Sequence, residues 1–138
     1  MSFISNTYFV GDTGRKNTRG DTIYALYRRN LSGVVDEIVE GVENIQITYG
    51  HEFINGNRRF VPANTAGLDM TQVTSLKFSV LVASSDPVLE ATDTLEYQMA
   101  GATAEPASGG ATITYEDDMR LRKVFSMTVN LRNRRVSN

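Results

Sequence analysis

The chain has 138 residues, 41% of them hydrophobic and 22% charged, with a formal net charge of −2 and no cysteine. That length and balance fit one domain over residues 1–138, able to bury a core without disulfide or metal staples. They exclude disulfides, thiol-based zinc sites and a domain that binds nucleic acid through its overall charge.

No run approaches the roughly 18 apolar residues needed to span a bilayer. The opening MSFISNTYFV lacks the basic and long apolar segments of a secretory signal. The chain therefore reads either as cytoplasmic or as a portion whose leader has been removed.

In chain order, FISNTYFV and TIYALYRR are rich in aromatic and β-branched residues and predict strands. GDTGRKNTRGD between them reads as a loop. Leu31, Val34, Val35, Ile38, Val39 and Val42 follow helical spacing, but Gly33, Gly41 and the β-branched surplus oppose it, so residues 31–42 fit a short helix or an irregular strand. Ile45, Ile47 and Tyr49 alternate with polar residues as a half-buried strand does. HEFINGNRRFV carries the hairpin signal Asn55-Gly56.

Leu76, Phe78, Val80 and Val82 repeat the alternation, and Leu95, Tyr97 and Met99 do so more briefly. Residues 84–111, rich in Gly, Pro and small polar residues, predict an exposed excursion, with Ser85-Asp86-Pro87 able to cap a short helix. Phe125, Met127, Val129 and Leu131 alternate with Ser126, Thr128, Asn130 and Arg132. The apolar set is expected to be buried and the polar set exposed.

Few residues carry candidate chemistry. His51, the single histidine, reads as an exposed loop residue and makes a catalytic triad or a His-rich metal site hard to build. Glu116, Asp117 and Asp118 lack the ligand alternation of a calcium loop and read as a solvated turn. GDTGRKNTRGD has no Gly-Lys-Ser/Thr step, so it is no phosphate-binding loop; Arg19-Gly20-Asp21 is treated as loop composition. The cations Arg120, Arg122, Lys123, Arg132, Arg134 and Arg135 flank the last strand and read as edge protection and surface charge. An anionic partner is the lesser alternative. No catalytic residue, cofactor-binding residue, metal ligand or cofactor is assigned.

Six segments taken together resemble the PilW family of type IV pilus minor pilins. They are YFVGDTGR (8–15), LYRRN (26–30), IVEGVENIQITYG (38–50), RRFVPA (58–63), VTSLKFSVLVAS (73–84) and MRLRKVFSMTVNLRNR (119–134). The pair EGVENIQITYG and RLRKVFSMTVNLRNR is the most specific part, and residues 85–115 lie outside the resemblance. It implies an α+β, mostly β fold: a pilin-like globular head built on antiparallel sheet, here without the hydrophobic N-terminal helix that anchors such subunits in the inner membrane. The chain then looks like the C-terminal periplasmic portion of such a pilin.

The resemblance implies a structural, non-enzymatic role. A minor pilin of this kind helps prime and cap type IV pili of a Gram-negative bacterium through contacts with other minor pilins, the major pilin and a tip adhesin. The periplasm, inner membrane and pilus tip are its expected locations. No specific nucleic acid is expected, and the portion alone should be monomeric. A J-class minor pseudopilin of type II secretion is the nearest alternative. A periplasmic ligand-binding module using residues 84–118 as a lid is another, and a weak enzyme is the last.

Overall fold

Local polar chemistry sets the first turns. Asn17 accepts the N–H of Gly20 at 3.0 Å, and its side-chain oxygen accepts from Arg19 and Asp21. Asn30 does the same at the next corner: its carbonyl accepts from Gly33, and its Oδ1 takes the N–H groups of Ser32 and Val34. Such Asx-type turns offer the backbone an alternative to helix.

The computed structural model describes residues 4–52, 57–109 and 112–131. Along these the strands are β1 (Asn6–Lys16), β2 (Thr22–Asn30), β3 (Val35–Glu40), β4 (Val42–Glu52), β5 (Arg58–Val61), β6 (Val73–Ala83), β7 (Tyr97–Met99), β8 (Ala102–Pro106), β9 (Ile113–Tyr115) and β10 (Arg122–Asn130). Two short 3-10 turns, Met70–Gln72 and Ala107–Gly109, are the only helical elements among the described residues. The fold is mostly antiparallel β, as expected.

Three sheets result. The first is β1-β2-β3, the second β10-β6-β4-β5 and the third β7-β8-β9. All pairings are antiparallel except β8 with β9.

Residues 31–42 are strand rather than helix. Gly33 and Gly41 hold φ values of 83° and 86°, which a helix cannot accommodate. The helical-looking spacing comes from a bulge: Leu26 pairs with Val39 and Tyr27 with Glu37, so Ile38 is inserted between them. The presumed loop 11–21 is strand as far as Lys16, paired with Thr22 across an irregular register. The Asn55-Gly56 turn lies outside the described residues, although β4 and β5 on either side pair antiparallel from Glu52 with Arg58 to Tyr49 with Val61.

The largest corrections concern which faces are covered. β10 is a strand, but Phe125, Met127 and Val129 are 52%, 55% and 39% exposed, and Leu131 is half-buried. In β6 the buried set is Val73, Ser75, Ser79, Leu81 and Ala83, not Leu76, Phe78, Val80 and Val82. The reason is a closely packed layer on the face of small and polar residues.

Ala100 N–H donates to Ser79 Oγ at 2.9 Å, and Ser79 Oγ bonds Ser126 Oγ at 2.7 Å. A Cβ added at Gly101 would lie 2.7 Å from the Thr48 methyl, so only glycine permits that approach. Leu81, Met99, Ala104 and Tyr115 form the core there, with Tyr97, Ile113 and Val124 against it.

The 84–111 segment is therefore no exposed excursion, since it contributes β7, β8 and two of those four core residues, Met99 and Ala104. Ser85-Asp86-Pro87 caps no helix. Only the end of the Leu95–Met99 alternation is strand, and Leu95 is exposed.

Candidate interaction surface

Two features remain after the core is accounted for: a buried ionic cluster and an uncovered apolar face. The cluster is built by β10 and the turn before it. Arg120 and Arg122 are 1% and 3% exposed, so neither is a surface cation as their sequence position suggests.

Arg122 donates Nε to Glu43 at 2.7 Å, Nη1 to Asp118 at 2.9 Å and to Asp93 at 3.2 Å, and Nη2 to Asp118 at 3.0 Å and to Glu43 at 3.2 Å. Its guanidinium carbon also lies 4.3 Å from the centre of the Tyr115 ring. Arg120 donates Nε to Asp118 at 2.6 Å and Nη1 to the Thr22 carbonyl at 3.2 Å, and pairs with Glu43 at 2.9 Å and Glu116 at 3.3 Å.

These contacts explain the shifted titrations. Burial opposes the charge on Arg122, but hydrogen bonds to Glu43 and Asp118 outweigh it and raise its pKa. Burial likewise opposes ionisation of Asp118, and the Arg122 and Arg120 hydrogen bonds overcome it and lower its pKa. Glu116 is raised, because burial outweighs the attraction of Arg120. Tyr97 is pushed up to about 12 by burial and by its hydrogen bond to Asp93.

Of the acidic turn read as solvated, Asp118 is buried within the network and Glu116 half-buried at its edge, while Asp117 is exposed as expected. The residue spacing Asp118, Arg120, Arg122 was its only sequence signal. The cluster joins β2, β4, β7 and β10, so it acts as a structural clamp. Among the described residues no group of His, Cys, Asp or Glu is arranged to hold a metal ion.

His51 is buried within β4, facing Val73 on β6 and Arg59 on β5, rather than exposed in a loop. Lys123 is exposed, with its amine 5.4 Å from the centre of the Phe125 ring. Arg132, Arg134 and Arg135 lie outside the described residues.

The apolar face is the opposite side of the second sheet. Register places Ile45, Val80 and Phe125 in one row, Ile47, Phe78 and Met127 in the next, and Tyr49, Leu76 and Val129 in the third. All nine are half-buried or exposed. Alternation in the sequence found these side chains, but assigned them to the interior. A contiguous apolar surface of this kind marks a contact site rather than a solvated face.

No helix among the described residues is long and apolar enough to cross a membrane. In comparison with known proteins, no curated protein and no solved structure matches. The chain does match, over residues 7–133, the family described as type IV pilus-assembly protein W. That match takes in all three sheets, the ionic cluster and the apolar face, and the chain belongs to the type IV pilus-assembly protein W family.

Proposed function

We propose that this chain is the head of a minor pilin, and that the apolar face of its second sheet seats an apolar helix in the assembled protein. Family membership ties the chain to type IV pilus assembly at the cell envelope, a structural role. The finer role is priming and capping of pili through contacts with other minor pilins, the major pilin and a tip adhesin, from the periplasm.

The observation that carries this reading is the three-by-three apolar array of Ile45, Ile47, Tyr49, Leu76, Phe78, Val80, Phe125, Met127 and Val129. Strands about 4.8 Å apart put its outer columns roughly 10 Å from each other, close to the width of one helix with side chains. Along a strand the array continues through Val82, and six steps of about 3.3 Å give roughly 20 Å, the length of about 13 helical residues. Leaving that surface in water forfeits about 25 cal/mol for each Å² of apolar area, a strong drive toward cover.

The test is genetic and needs the full-length protein in its own cell. Loss of the gene should strongly reduce surface pili. Restoring it with Phe78→Asp should fail to rescue, while the Lys77→Gln control on the opposite side of the same strand should rescue. Normal piliation in the strain lacking the gene overturns the reading.

A further inference from the structure

We infer that the outer edge of β10 accepts an extended strand from a different pilus subunit, adding a fifth strand to the second sheet. This names a partner contact for the head and so rests on the reading above.

Ladder geometry supplies the first argument. In an antiparallel pair, alternate residues direct both backbone groups toward the partner strand and the residues between them direct theirs away. Leu131 N–H donates to Thr74, and the Leu121 carbonyl accepts from Ser84, so the odd-numbered residues face β6. Val124, Ser126, Thr128 and Asn130 therefore present their N–H and C=O groups to the open side. No described strand pairs there.

The second argument is a contrast among sheet edges. Natural edges are blunted by bulges, charge, proline or shortness. The register of β1 shifts between Asp12 and Lys16, and that of β3 shifts at its bulge. β3 also carries Asp36, Glu37 and Glu40, paired with Arg28 and Arg15. β5 has only four residues.

Of these defences β10 has only one, the single charge of Lys123 near its start. Its nine residues pair with β6 from Arg122 to Asn130 without a shift, contain no proline, and place one exposed charge, Lys123, among them. An unbroken open edge of this kind is a template for strand addition, in which main-chain bonds supply affinity and alternate side chains supply specificity.

The third argument selects the occupant. An added strand would present alternate side chains beside Phe125, Met127 and Val129, so apolar residues there would widen the uncovered face. The intervening positions would lie beside Ser126 and Thr128 and suit polar residues. A second copy of this chain fits poorly. β10 carries the cation Lys123, and Arg132, Arg134 and Arg135 follow it in the sequence, so a neutral or acidic segment complements this stretch better than a second cationic copy of it does. The occupant is therefore a heterologous segment with alternating apolar and neutral or acidic residues.

The test reads backbone amide exchange on the isolated head, with a synthetic peptide of the strand's own length alternating valine with threonine and glutamate. In the free head the amides of Val124, Ser126, Thr128 and Asn130 should exchange fast, and those of Phe125, Met127 and Val129 slowly. Peptide should slow the even-numbered set by roughly tenfold or more, with little change in the odd-numbered set.

Thr128→Pro removes an outward N–H while leaving the β6 ladder donors in place, so it should abolish the peptide effect, and Thr128→Val should not. Exchange on the unaltered head decides the matter even where the proline variant folds poorly. No slowing at millimolar peptide overturns the inference. So does slow exchange of the even-numbered amides in the free head, which would mean that the chain itself or a second copy covers the edge. These readouts need no pili, so they fail separately from the piliation test.

Discussion

The carbonyl of Gly41 accepts the N–H of Ala83 at 2.8 Å, while the Gly41 N–H donates to Tyr24 at 2.8 Å. One residue thus bonds β2 of the first sheet on one side and β6 of the second on the other. It does so at a φ of 86°, and a Cβ there would stand 2.4 Å from the Ala83 oxygen. Gly41→Ala must distort one bond or the other in addition to its backbone strain. A loss of about 2–4 kcal/mol is expected on thermal or urea unfolding. A loss below about 0.5 kcal/mol would show that the junction is pliable.

Arg122 should be far more important to stability than its neighbour Lys123. Arg122→Gln leaves Glu43, Asp93 and Asp118 short of a cation in a buried site and should cost about 3–5 kcal/mol. Lys123→Gln, on an exposed side chain, should change stability by about 0.5 kcal/mol or less. Equal effects in chemical denaturation would contradict the clamp.

Acid should loosen the same cluster. The folded-state pKa of Asp118 lies below its unfolded value, so its contribution is full above the ordinary Asp value of about 4 and is lost as pH falls through the depressed value. Glu116 has the opposite sign: its raised pKa costs stability at neutral pH, and that cost is relieved on protonation. Melting temperature should fall below about pH 4, and Asp118→Asn should flatten that fall while lowering stability at pH 7. An unchanged acid slope in Asp118→Asn would refute the assignment.

The uncovered face should separate folding from assembly. Phe125→Ser and Met127→Ser should each cost the isolated head about 1 kcal/mol or less, against the 3–5 kcal/mol typical of emptying a core aromatic site. The same changes in the full-length protein should impair piliation. A large stability loss in the isolated head would place these side chains in its interior.

Nucleic acid should bind feebly. Arg120 and Arg122 are committed to carboxylates and cannot engage phosphate without breaking the clamp. A duplex DNA titration at physiological salt should show no sub-micromolar affinity, and a steep salt dependence of a tight complex would argue otherwise.

Local pattern determined much of this protein. Period-two alternation located β4, β6 and β10, and aromatic and β-branched content located β1 and β2, because strand side chains alternate whatever they pack against. Family membership was also legible, since it rests on the segments themselves.

Which face is covered was decided by tertiary structure. Alternation divides Phe125, Met127 and Val129 from Ser126 and Thr128 but carries no information about what lies above either side. A layer of small residues around Ala100 and Gly101 covers Ser79 and Thr48, while the apolar rows stay open. Charge was misread for the same reason. Arg120, Arg122 and Asp118 look like a surface run along the chain, and only the approach of Glu43 and Asp93 from distant segments makes their burial affordable, because a buried ion is tolerated only when its partners arrive with it.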